Sequence, residues 1–192
     1  MRITLVLIIA LLIAGCVGSK VSVPSWQRVD PERSQYTGKL GFTAGLPVNW
    51  MVYEDMPSRM LLLTRHSVPM DFIQIRQYAL SEPLPHTDLA LEAGMRTYEL
   101  AEIIINNLRA MPGVFDLTVE ELAPDEIDGR EAFRMMASYA MENGIRRRCL
   151  IYGFISGSRH YTEIGLYALE EHYFGAAIEE FLTLTGTFRV KN

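Results

Sequence analysis

Four apolar runs, at residues 114–122, 130–141, 145–155 and 160–169, are separated by Asp128-Gly129, Asn143-Gly144 and Ser156-Gly157-Ser158. Asx-Gly pairs favour the positive φ angles of tight hairpins, so this stretch predicts a four-strand antiparallel meander. Shorter strands are expected upstream, around Trp50-Met51-Val52-Tyr53, within Met60 to Thr64 and along Asp71 to Leu80, broken by Pro57-Ser58 and Ser67-Val68-Pro69. Met60-Leu61-Leu62-Leu63 is apolar on both faces and calls for cover above and below.

Two segments change period. Leu91, Met95, Tyr98, Ala101, Ile105 and Leu108 recur at helical spacing over residues 88–111, with Asp88 placed as a cap and Pro112-Gly113 as a stop. A second helix over residues 170–183 puts Phe174, Ala177, Ile178, Phe181 and Leu182 on one face. Strands, helix, meander, helix predict an α+β fold: a single antiparallel sheet with a helix on each face, an α/β/α sandwich.

The first residues have a different character. Arg2 precedes a stretch, Ile3 to Ala14, that is apolar apart from Thr4. It falls short of the roughly 20 apolar residues that cross a bilayer and has the length of a signal-peptide apolar region. It ends in Leu12-Ile13-Ala14-Gly15-Cys16, which resembles the lipobox of bacterial lipoproteins. The resemblance implies cleavage before Cys16, a diacylglyceryl thioether on its sulfur and acylation of its new amino group. Several acyl chains satisfy the requirement for stable anchoring. Residues 1–15 are then a signal peptide. Residues 16–38, with Gly18, Ser19, Pro24, Pro31 and Ser34, are a tether, although Val21, Val23 and Trp26 are apolar for a free linker. Residues 39–192 form the globular domain and are expected to hold its whole core. Val17 after the cysteine is not the aspartate that resembles an inner-membrane retention signal, which favours an outer membrane facing the periplasm where the cell has one.

Charge narrows the partners. The net charge is −5, and loss of Arg2 with the signal makes it more negative, which argues against nucleic acid and against an anionic lipid surface as sole anchor. Cys149 is the one cysteine left for the domain; it lies in an apolar run and is expected to be an inert buried hydrophobe.

A second resemblance lies in Gly41-Phe42-Thr43-Ala44-Gly45-Leu46-Pro47-Val48-Asn49-Trp50 and in Ile127-Asp128-Gly129-Arg130-Glu131-Ala132. With the element order, these resemble the PsbP-like superfamily over residues 39–192. That superfamily includes thylakoid-lumen photosystem subunits, a nuclear Ran-binding import factor and DcrB-type bacterial lipoproteins. The resemblance implies a non-enzymatic accessory or binding domain and carries over no catalytic residue.

The residues themselves point the same way. His66, His86, His160 and His172 are scattered without metal-ligand spacing, and no cofactor or metal is expected. Gly153-Phe154-Ile155-Ser156-Gly157 has its serine one place late for a hydrolase elbow and leads into a strand. The methionines, Met135 and Met136 among them, lack a repeated copper-binding spacing. Two charge clusters remain. Glu120, Glu121, Asp125, Glu126 and Asp128 crowd the first hairpin, and Arg146, Arg147 and Arg148 open the third meander strand. Strand alternation puts Arg146 and Arg148 on one face and Arg147 on the other. Arg146, Arg148, Glu120 and Glu121 are therefore the candidate docking residues for an envelope protein or small ligand, with cross-strand ion pairing as the plainer reading. The alternative from another class is an envelope hydrolase whose site the sequence does not display.

Overall fold

Asp128 and Gly129 both adopt positive φ, 52° and 71°, and join Ile127 to Arg130 in a two-residue turn. The next turn is built differently. Gly144 alone is left-handed, at 79°; Gly144 N–H donates to Met141 O, and Met141 N–H to Ile145 O. This is a three-residue loop with glycine in the left-handed place. These turns order the longest strands of the computed structural model, which describes residues 25–191.

The strands are β1 (Gln27–Arg28), β2 (Gln35–Tyr36), β3 (Phe42–Gly45), β4 (Met51–Asp55), β5 (Met60–Thr64) and β6 (Asp71–Ala79), then β7 (Val114–Ile127), β8 (Arg130–Met141), β9 (Arg146–Ile155), β10 (His160–Leu169) and β11 (Arg189–Val190). Helix α1 (Thr97–Arg109) lies between β6 and β7, and α2 (Tyr173–Thr187) between β10 and β11. Eight strands form one antiparallel sheet in the order β1-β4-β5-β6-β10-β9-β8-β7, so the meander is present and β10 pairs with β6 to join the two halves. The sheet is not the only one. β3 pairs with β2 and β11 in a small three-stranded sheet, which corrects the expected single sheet. Its Phe42 stacks on Phe188 at 4.9 Å between ring centroids.

The side-chain period of two divides the core. In β9, Cys149 and Ile151 enter one apolar cluster while Leu150, Tyr152 and Phe154 enter another. Leu100, Ala101, Ile104 and Leu108 of α1 belong to the first cluster, and Phe174, Ala177, Phe181 and Leu184 of α2 to the second. In β5, Leu61 and Leu63 are fully buried but Met60 and Leu62 only half so, and the strand is covered more fully on one face than its sequence suggests.

Both helices are displaced from their expected bounds. α1 starts at Thr97, since Gly94 has φ 87° and breaks the run; Glu99 Oε2 then accepts from Arg96 N–H at 2.7 Å, and Asp88 caps nothing. Tyr98 is exposed rather than packed, and so is Leu182 of α2.

The boundary expected at Lys39 also moves. β1 pairs with β4, Val29 donates its N–H to Trp50 O at 2.8 Å, and Val29 and Tyr36 are buried. Residues 27–36, expected in the tether, are part of the packed structure.

Candidate functional site

Cys16 and the residues around it lie outside the described region. The chain enters the fold beside Trp26, whose ring packs on Tyr53 with centroids 5.4 Å apart.

The charged residues singled out in the meander gather along β7, β8 and β9. A register shift between Val119 and Glu121 interrupts the alternation of β7. Glu121 then stands opposite Met136, while Glu120 reaches Arg148, whose cross-strand neighbour is Ser138. Both glutamates thereby serve the same face. Arg148 Nε donates to Glu120 Oε2 at 2.9 Å, and its guanidinium lies over the Phe174 ring at 5.4 Å. Glu121 pairs instead with Arg134, which also meets Asp125 at 3.5 Å. Arg146 pairs with Glu170 at 3.1 Å and donates to Ser138 Oγ at 3.2 Å. Asp128 closes the series with Arg130 at 3.2 Å and Arg189 at 3.7 Å. The four candidate residues thus divide among three ion-pair groups. The result is a half-exposed ladder of alternating charge, each rung worth roughly 0 to 1 kcal/mol.

Arg147 points to the opposite face and is only 7% exposed. Its Nη2 donates to the carbonyls of Val68 and Pro69, its guanidinium lies 5.6 Å from the Phe72 ring centre, and it forms no ion pair among the described residues. It lines a cavity of about 670 Å³ with Pro69, Pro112, Met141, Ile145 and Leu169. A second hollow, of about 790 Å³, lies between β4 and the residues around β2, where Tyr36 Oη donates to Glu54 Oε1 at 2.6 Å.

Two buried acids escaped the sequence reading. Asp71 is fully buried; its Oδ1 accepts from Thr64 Oγ1 and from the N–H groups of Arg65 and His66, and its Oδ2 meets His66 Nδ1 at 2.7 Å. Burial pushes its pKa up, but these hydrogen bonds outweigh burial and hold the carboxyl below its usual value. Among the described residues no hydroxyl or thiol hydrogen-bonds to the His66 ring, and the imidazole borders neither large cavity. Glu163 is 4% exposed, accepts from Tyr167 Oη at 2.9 Å and stands opposite Arg76; burial raises its pKa. The signal for Glu163 was an acid at an inward position of a strand otherwise rich in Ile, Leu and Tyr. Asp71 left none, because its partners come from the chain just before it.

Cys149 is fully buried and its thiol is pushed up to about 12, first by burial and then by the charge of Glu163. Ser156 Oγ accepts from Thr162 Oγ1 at 2.6 Å, a contact within the hairpin. No group of three His, Cys, Asp or Glu side chains fit to hold a metal occurs among the described residues.

The topology has counterparts among solved structures. Cyanobacterial PsbP from Synechocystis matches with a TM-score of 0.51 at 13% identity, over 93% of this chain and 98% of its own. The fold is PsbP-like. The Saccharomyces cerevisiae Ran-binding protein MOG1P matches with a TM-score of 0.54 at 9% identity, over 88% of this chain and 96% of its own. A protein of Bacteroides thetaiotaomicron gives 0.51 at 11% identity, over 83% of this chain and 48% of its own. No family model and no curated protein matches the sequence.

Proposed function

We propose that this chain is a lipid-anchored accessory or binding protein of the bacterial cell envelope, without catalytic activity and without a cofactor. Its membrane partner is the bilayer itself, through acyl chains on Cys16, and its domain is an α/β/α sandwich with a helix on each face. Where the cell has an outer membrane, the protein sits there facing the periplasm. The lipobox-like Leu12-Ile13-Ala14-Gly15-Cys16 supports the anchoring half.

The Arg148–Glu120 ladder carries the binding half. It sets nine basic and acidic side chains on one half-exposed strip along the meander, where charge steers and registers a partner. The occupant is an envelope protein or small ligand of alternating charge, and nucleic acid is disfavoured by the acidic balance of the chain.

Two experiments test this reading. Metabolic labelling with a fatty acid should mark the wild type and not Cys16→Ser; equal incorporation would remove the lipoprotein assignment. Reversal of Arg146 and Arg148 to Glu should weaken recovery of crosslinked partners from intact envelope while the protein stays folded. Recovery of the same partners in the same yield would exclude this strip as the docking site.

The His66–Asp71 contact is the one observation that favours a hydrolase, since the carboxylate orients the imidazole through Nδ1. A turnover of ester substrates that disappears in His66→Ala would establish that reading instead.

A further inference from the structure

Among the described residues Arg147 is a buried cation without an anion. Removing a guanidinium from water is expensive unless charge or hydrogen bonds replace the lost solvation. Here two carbonyls share one nitrogen, and the Phe72 ring adds a cation–π contact. Its other neighbours offer no negative charge: Tyr139 and Leu169 occupy the cross-strand positions beside it, and burial raises the Tyr139 pKa, keeping that hydroxyl neutral. Glu142, on the rim, is solvent-exposed. The positive charge therefore faces the 670 Å³ cavity formed where β8, β9 and β10 meet the segment after α1.

The rest of the lining is mostly apolar, with Gly113, Glu142 and Asn143 at its rim, and many of its backbone groups are already bonded. Pro69 and Pro112 have no N–H. Met141 N–H, Met141 O and Ile145 O are spent within the hairpin, Leu169 N–H is taken by Met70 O, and the carbonyls of Val68 and Pro69 are taken by Arg147. A peptide laid along Met141, Ile145 and Leu169 would find few partners for its own amides. An acyl chain has none to satisfy.

We propose that this cavity binds a medium-chain monocarboxylate of the fatty-acid class, its carboxylate on Arg147 and its chain along Met141, Ile145 and Leu169. The volume lies within the range of small-molecule sites. The charge-assisted contact supplies the anion that the fold withholds from Arg147.

The test is photolabelling of the full chain, in the membranes where it is made, with a 12-carbon diazirine fatty acid. Crosslinks are expected on the peptides carrying Pro112, Met141–Arg147 and Leu169. Excess laurate should reduce them at least tenfold, and dodecanol, which lacks the charge, should not. Ile145→Asp changes an exposed rim residue and should abolish labelling without unfolding; Arg147→Lys keeps the charge and should retain part of it, whereas Arg147→Gln should not. Labelling elsewhere, equal competition by dodecanol, or undiminished labelling of a folded Ile145→Asp protein would overturn the proposal. So would competition by an apolar peptide with a free C-terminus where laurate fails.

Discussion

Arg148 of β9 reaches across β8 to Glu120 of β7, its Nε 2.9 Å from Glu120 Oε2, passing over Ser138 on the strand between them. The bulge of β7 between Val119 and Glu121 brings Glu121 onto this same face. Their side chains are 36% and 25% exposed, so the pair gains Coulomb energy in a largely aqueous surrounding. A double-mutant cycle over Arg148→Ala and Glu120→Ala is expected to give a coupling of about 0.5 to 1 kcal/mol. The coupling should shrink in high salt. A salt-insensitive value several times larger would mean that the rung is a structural element rather than a surface one.

The two buried acids predict opposite pH dependences. Asp71 has a lowered folded pKa, so its contribution to stability is complete above its unfolded value, near 3.9, and is lost as pH falls through the folded value. Asp71→Asn keeps an oxygen for the three donors on Oδ1 but removes the charge and puts an NH2 in place of the Oδ2 that meets His66 Nδ1, and should cost about 1 to 3 kcal/mol at pH 7 and less at pH 3. Glu163 has a raised folded pKa, so the native state holds its proton more tightly than the unfolded chain. Stability should fall, relative to Glu163→Gln, as pH rises above about 4. Denaturant titrations of the three proteins across pH 3 to 8 check both signs.

Gly153 makes room for two aromatic side chains. A Cβ there would collide with Tyr161 Oη and with the Phe133 ring, both fully or almost fully buried. Gly153→Ala should therefore destabilise the domain by about 1 to 3 kcal/mol through overpacking. A cavity-forming partner change, Phe133→Leu, should recover part of that loss in the double mutant. Calorimetry of the three variants decides it.

What could be read from sequence follows from how local each cause is. The meander was visible because Asp128-Gly129 and Asn143-Gly144 encode their own backbone geometry. The turn at Gly144 holds the three residues that the runs 130–141 and 145–155 leave between them, and its closing hydrogen bonds fix its type. The helix periods were visible, but their starts depend on the left-handed Gly94 and on tertiary cover, which moved α1 to Thr97. The ladder residues were legible as two charge clusters. Which acid meets which base was not, because the β7 bulge shifts the register by one. Arg147 was placed on the other face by alternation alone, yet its lack of an ion pair among the described residues is a property of three strands and a loop together.

Cys149 should stay unmodified in the native protein. Its thiol is fully buried in β9 and raised to about 12, first by burial, so almost no thiolate exists at neutral pH. A maleimide reagent is expected to label it only in denaturant. Rapid stoichiometric labelling of the folded chain would mean that the α1-side cluster opens readily.

The last prediction concerns where the domain begins. On sequence, residues 39–192 contain all the long strands and both helices, and such a fragment should fold alone. In the structure, β1 covers the edge of β4, Val29 is buried, and Tyr36 packs on Phe42 with ring centroids 4.8 Å apart. Removing residues 25–38 deletes both the edge pairing and two core side chains. Each buried side chain of this size is worth about 1.5 to 3 kcal/mol, a large share of the 5 to 15 kcal/mol that holds an ordinary domain together. Loss of Tyr36 also strips Glu54 of the hydroxyl 2.6 Å from its Oε1. A fragment starting at Ser25 should therefore unfold in one cooperative transition, and one starting at Lys39 should melt at least several degrees lower or fail to fold. The substitutions Val29→Ala and Tyr36→Ala in the longer fragment separate side-chain loss from strand loss: each should cost less than the truncation. Equal melting of the two fragments would show that residues 25–38 are an ornament on a domain complete without them.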